Sequence, residues 1–236
     1  MSLLQRLHPR AWPLPGGCWV CLGWSGARIC ADCRNAFARP LLRCGGCALP
    51  LPPGTHSALC GHCLQEPLGL THCLAAVDYR APWDGLLQAL KYRGELGAAV
   101  ALAELLPEPP PELPRPQALL PVPQHEARLR ERGHNPAEQL ARALGRRLNL
   151  PVQRDWLLRL RDTPTQTQLN RPQRQANLRG AFALAAGAPV RDGHWVIVDD
   201  VLTTGATVAA LAQELLRHGA ASVQAWVVAR TPDPRA

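Results

Sequence analysis

The stretch from His194 to Thr207 constrains the fold more than any other part of the chain. Trp195 to Val198 is a run of β-formers that leads directly into two adjacent carboxylates, Asp199 and Asp200. After Val201 and Leu202 come Thr203, Thr204, Gly205, Ala206 and Thr207, and then an amphipathic helix pattern with Val208, Leu211, Leu215 and Leu216 on one face. A strand that opens through a short Thr/Gly turn into a helix is an α/β unit. Two carboxylates at the end of an apolar strand are costly to place without a ligand. The N–H groups of the helix start and the positive end of its dipole suit a phosphate. Ionised carboxylates only accept hydrogen bonds, which suits sugar hydroxyls and repels phosphate. The pair of features reads as a phosphosugar site. Neither GxGxxG nor GxxxxGK[ST] occurs, so dinucleotide and P-loop sites have no support.

A second constraint lies at the other end. Residues 1–67 carry four CxxC pairs, Cys18/Cys21, Cys30/Cys33, Cys44/Cys47 and Cys60/Cys63. Each pair sets two thiolates on one tight turn, and two turns complete a tetrahedral zinc site, so eight ligands make two structural zincs. The module has few large apolar residues, and metal replaces the missing core. Sequential pairing of neighbours is the simplest assignment; an interleaved one also satisfies the spacing. With eight thiols present, His56, His62 and His72 read as bystanders, and Cys73 as a buried thiol opening a strand. No secretory apolar region and no membrane-length apolar run is visible, which predicts a cytoplasmic protein without membrane insertion whose cysteines hold metal rather than disulfides.

Between these two regions the pattern alternates. Cys73 to Tyr79 reads as a strand, about 84–93 and 95–106 as helices separated by Gly94, and Pro107 to Pro116 as a proline-rich linker inside a domain spanning 68–236. Gln117 to Val122 reads as a short buried strand followed by a charged loop. Asn135, Pro136 and Glu138 form a helix start of the capping-box type, with Leu140, Leu144 and Leu148 along one face. Leu157 to Leu160, Ala181 to Leu184 and Ser222 to Ala229 read as further strands. Arg161 to Arg179 is too polar for a core and reads as a loop or ribbon. Strands alternating with helices predict a parallel sheet with the ligand at its carboxyl ends. Lys91 is the only lysine, and from Arg115 to Arg191 fourteen arginines face five acidic residues, a charge balance that suits a polyanionic substrate or nucleic acid.

The motif around Asp199 and Asp200 resembles the signature of the type I phosphoribosyltransferases, which bind phosphoribosyl pyrophosphate (PRPP). Taken with the cysteine pairs, Leu90 to Arg93, Pro121 to Pro123, Arg132 to Asn135, Gln166 to Leu169 and Arg174 to Phe182, it extends to the ComF/GntX family of competence-associated proteins over nearly the whole chain. His134 and Pro136 depart from the family pattern. The resemblance implies an α/β phosphoribosyltransferase-like sheet flanked by helices behind a double zinc ribbon, and a link to DNA uptake or the use of DNA as nutrient. It implies that Asp199 and Asp200 hold the ribose hydroxyls as the catalytic pair, and that Thr203, Thr204, Gly205, Ala206 and Thr207 cradle the 5′-phosphate. Val122 and Pro123 would frame the pyrophosphate, Arg132 and the 161–179 loop would cover it, and magnesium would neutralise it. Three readings follow from it. One is a transferase acting on an unnamed acceptor. The second is a non-catalytic adaptor that binds single-stranded DNA or a DNA-uptake partner and senses PRPP. The third is a regulator of the purine-repressor kind.

Overall fold

The computed structural model describes residues 16–161 and 180–232. Its compact units are Met1–Arg39 and Pro40–Ala236. Composition groups all four cysteine pairs in residues 1–67, but the second two belong to the larger unit.

The smaller unit has two short antiparallel strands, β1 (Gly16–Gly17) and β2 (Trp24–Ser25), and helix α1 (Ala31–Phe37). The sulfur of Cys30 caps α1 by accepting from the Cys33 N–H. A metal-ligand turn and a helix start are thus one structure.

The larger unit adds a short helix, α2 (Gly61–Gln65), and then a four-stranded parallel sheet built from β3 (His72–Asp78), β4 (Ala118–Pro121), β7 (His194–Leu202) and β8 (Ser222–Arg230). Its order is β3-β8-β7-β4. Helices α3 (Trp83–Tyr92), α4 (Leu96–Ala103), α6 (Pro136–Leu148) and α7 (Ala206–Arg217) flank it. The expected parallel sheet with flanking helices is therefore what forms. Alternation along β7 sorts the two layers. Ile197 packs with Ala225, Val227 and the α7 residues Val208, Leu211 and Leu215. Val196 and Val198 point the other way, towards the face where α6 covers β4 and β7 with Leu140 and Leu144 buried. Each fully buried leucine contributes roughly 1.5–3 kcal/mol. Cys44, Cys47, Cys63 and Leu68 join the α7-side core.

Three local expectations change. The charged loop after β4 is largely helix α5 (Glu126–Arg132), capped by His125 at its start and by Gly133 at φ 74° at its end. None of its residues is buried, so it leaves no apolar periodicity to read. Glu138 does not close a capping box. Asn135 Oδ1 accepts from the Ala137 N–H at 3.0 Å, while Glu138 pairs with Arg142 at 2.7 Å. The proline linker is pinned near both ends, by Arg147 donating to Ala103 and Leu106 carbonyls and by Gln224 donating to the Pro114 carbonyl. Residues 162–179, most of the expected polar loop, lie outside the described residues. That segment is bracketed by an antiparallel ribbon of β5 (Leu157–Arg159) and β6 (Phe182–Leu184).

Candidate functional site

At the carboxyl ends of β4 and β7 lies a cavity of about 260 Å³ whose lining includes Val122, Pro123, Arg132, Asp199, Asp200 and Thr207. The sequence motif expected the carboxylates to end the strand. In fact β7 runs on to Leu202, with Val201 and Leu202 still paired to Ala229 and Arg230 of β8. Asp199 and Asp200 are thus held by sheet rather than by a loop, and both line the cavity.

Asp200 is buried and meets Lys91 at 3.1 Å, with side-chain exposures of 11% and 21%. The chain's only lysine reaches the site from α3. Burial works against its charge, but the carboxylate of Asp200 and then that of Asp199 outweigh burial and hold its pKa above the ordinary value. Asp199 Oδ1 accepts from the Asp200 N–H at 2.9 Å. Burial first, then repulsion from Asp200, push Asp199 up to about 7. Two adjacent buried carboxylates cannot both ionise cheaply, even with Lys91 and Arg159 drawing Asp199 the other way. The pair can therefore hold a proton near neutrality or accept two hydroxyl groups.

The lining also carries cationic side chains. Arg132 stacks over Tyr92 with 4.8 Å from its guanidinium carbon to the ring centroid, and Arg159 lies 5.6 Å over the Phe182 ring. Arg128, Arg132 and Arg159 all line the cavity. Asn135 donates to the Val122 carbonyl at 3.0 Å and so ties the α6 start to the Val122–Pro123 turn. His134 ties the same region to α3 through the Leu90 carbonyl at 2.7 Å. Gln124 Oε1 is buried without a hydrogen-bond partner. Sequence reasoning gave Lys91 no site role, although it lies in the Leu90–Arg93 family motif, and did not single out Gln124, Arg128 or Arg159.

Thr203 to Gly205 form the turn into α7, with Gly205 at φ 81° as its N-cap residue and no side-chain cap. Thr203, Thr204, Gly205 and Ala206 do not line the cavity itself; Thr207 does. A helix start leaves its first N–H groups without intrahelical partners. Thr204 Oγ1 is also buried and unpartnered, an orphan that a phosphate oxygen would satisfy.

The eight cysteines of the CxxC pairs fall into two groups, Cys18/Cys21/Cys30/Cys33 and Cys44/Cys47/Cys60/Cys63, each with all sulfurs within 4.8 Å of one another. Sequential pairing is thus what the fold adopts, and neither group includes a histidine. A zinc–sulfur bond of about 2.3 Å implies a tetrahedral edge of about 3.8 Å. The Cys21–Cys30 and Cys47–Cys60 sulfurs are 3.8 Å and 3.7 Å apart. Cys18 is opposed by burial, yet N–H groups of Cys21, Cys30 and Val20 lower its pKa to about 6. Burial raises Cys47 to about 11, with Cys44 and Cys60 repelling its charge. Four sulfurs so close fit a zinc ion, and an ion held by all four would have no open position.

Residues 130–236 match the phosphoribosyl transferase domain model. The chain is 38% identical over 227 residues to the DNA utilization protein YhgH of Salmonella typhi, covering 92% of this chain and 98% of that one. The Escherichia coli K12 protein of the same name is 39% identical over 230 residues, again covering 92% and 98%. Competence protein F of Haemophilus influenzae is 30% identical over 211 residues, covering 86% and 90%.

Proposed function

The chain belongs to the ComF/GntX family, and on that premise we propose that it binds PRPP with magnesium and acts in the use or uptake of DNA. The observation that carries this reading is one cavity of about 260 Å³ lined by two carboxylates on β7 together with Arg128, Arg132 and Arg159. PRPP has the groups to match: vicinal hydroxyls on ribose, a monoester phosphate on one side and pyrophosphate on the other. Asp199 and Asp200 accept from the ribose hydroxyls. The Thr203–Thr207 turn takes the 5′-phosphate. Val122 and Pro123, with Arg128, Arg132 and Arg159, receive the pyrophosphate. Magnesium supplies charge neutralisation of the polyanion. Lys91 holds the Asp200 side chain at 3.1 Å, so that the ribose hydroxyls meet an acceptor already in place.

With PRPP so placed, transfer to an acceptor is chiefly an electrostatic problem. C1′ becomes cationic as pyrophosphate leaves, and the arginine wall stabilises the departing charge. Calorimetry with PRPP and magnesium tests the site. Asp200→Asn should weaken PRPP binding by about 1–3 kcal/mol, the scale of a charged hydrogen bond. Unchanged affinity in that variant would sink the assignment. Pyrophosphate release across candidate acceptors then separates a transferase from a sensor.

A second reading, the DNA-binding adaptor, draws on the smaller unit. There Trp24 and Leu22 are 85% and 81% exposed. Residues 16–39 hold three arginines against one aspartate. An exposed indole in a basic setting is the chemistry on which single-stranded bases stack. Salt-sensitive DNA binding without any pyrophosphate release would favour it.

A further inference from the structure

Arg230 ends β8 at 7% exposure, and no carboxylate pairs with it among the described residues. Its guanidinium donates instead to backbone carbonyls. Nε reaches the Cys47 carbonyl at 2.8 Å, and Nη1 reaches those of Leu202 at 3.1 Å, Thr203 at 2.5 Å and Thr231 at 2.6 Å. Burying an arginine without a counter-ion is expensive, and packing alone would be served by an apolar residue. The acceptors explain it. Thr203 and Thr231 lie just past the ends of β7 and β8, where their carbonyls have left the ladder, while the Leu202 carbonyl takes the guanidinium as a second donor beside the Thr231 N–H at 3.0 Å; a guanidinium carries several donors in one plane.

One of those carbonyls, that of Thr203, belongs to the turn that leads to α7, and Leu202 ends the strand before it. A trans peptide is planar, with C=O and N–H on opposite sides. Drawing the Thr203 carbonyl inward therefore turns the Thr204 N–H the other way. The fourth acceptor, Cys47, is a ligand-bearing turn of the second cysteine group. That group grips the loop a second time. Leu68, just beyond the helix carrying Cys63, is 8% exposed, and a Cβ added at Gly205 would come within 2.7 Å of its Cδ1.

We propose that Arg230 is a positioning residue that couples the second cysteine group to the phosphate turn, so that binding of the 5′-phosphate end of PRPP depends on metal at Cys44, Cys47, Cys60 and Cys63. The inference rests on the PRPP reading above. The guanidinium bridges the Cys47 turn and the Thr203 peptide. The metal fixes the first, and through Arg230 the second.

Arg230→Met keeps the length of the side chain and removes every donor; Arg230→Lys keeps the charge and loses the fork. Four quantities are read on the full chain: zinc content, amide exchange at 203–208, and affinity for PRPP and for inorganic pyrophosphate. The methionine variant should keep two zincs, exchange faster at 203–208 and bind PRPP about tenfold or more weakly, the scale of lost charged hydrogen bonds. Pyrophosphate affinity should stay near wild type, and the lysine variant should recover part of the PRPP loss. A zinc-loaded methionine variant with wild-type exchange and wild-type PRPP affinity overturns the coupling. If that variant does not fold, a chelator titration of the wild type decides. PRPP affinity should fall as zinc leaves while the sheet's circular dichroism persists, and affinity indifferent to zinc overturns the proposal. A wild type that binds no PRPP defeats the functional reading alone, since the exchange measurement still tests what Arg230 holds.

Discussion

Asp199→Asn is the perturbation that best tests whether the site is paid for in stability. The folded chain holds Asp199 at about 7 against an ordinary 3.8, through burial and the neighbouring Asp200 charge. A carboxylate raised in this way binds more protons folded than unfolded between those two values, so stability falls as pH rises through that window. The amide does not titrate, and its Oδ1 can accept the same Asp200 N–H that the carboxylate takes at 2.9 Å. At 1.36 kcal/mol per pKa unit, the stability gained by the asparagine variant should grow by about 2 kcal/mol between about pH 5.5 and about pH 8. Urea denaturation at the two pH values measures it directly. PRPP affinity should move the opposite way, since the amide is the poorer acceptor for ribose hydroxyls. A variant that is less stable than wild type at the higher pH, or whose gain does not change with pH, would refute the reasoning. Asp199 would then be a structural residue, and its place in the cavity incidental.

Lys91→Met should destabilise the fold by roughly 2–4 kcal/mol at neutral pH, somewhat below the range for a fully buried broken pair because Lys91 keeps 21% exposure. Its raised pKa means the pair's contribution is complete below the ordinary lysine value and is lost only in more alkaline solution, so urea curves at neutral pH capture it whole. PRPP binding should weaken as well, because two unbalanced carboxylates then face a polyanion. Cys44→Ser and Cys18→Ser should each release one zinc of two by metal analysis. The first should lower the unfolding temperature of the sheet, whose α7-side core contains Cys44; the second should leave that transition in place, because Cys18 lies in the separate smaller unit.

The legible part of this protein was the part whose signals are local in sequence. The β7–turn–α7 unit states itself within one stretch: a strand pattern, two carboxylates, a Thr/Gly turn and an amphipathic helix. The cysteine turns are also local, since each CxxC is its own structural unit and neighbouring pairs close one tetrahedron. Helix α5 escaped for a physical reason. It buries nothing, and what holds it is its caps and the 2.8 Å Glu126–Arg130 pair, which apolar periodicity does not register. Lys91 escaped because α3 looks complete as an amphipathic helix on Leu86, Leu87 and Leu90. Only the tertiary fold shows that its lysine meets Asp200.

The second cysteine group escaped in a different sense. Composition marks where the cysteines end, but a compact unit is defined by what packs together. Cys73 donates its N–H to the Gly45 carbonyl at 2.7 Å, Arg43 meets Asp78 at 2.9 Å, and Arg230 reaches Cys47. Three contacts from β3 and β8 thus hold a turn that has too few apolar residues to hold itself. The consequence runs in both directions. The sheet supplies the core that the cysteine turn lacks, and the turn supplies carbonyl and side-chain partners at the carboxyl edge, where β8 ends and the phosphate turn begins. A metal site built into that edge is placed to govern ligand geometry.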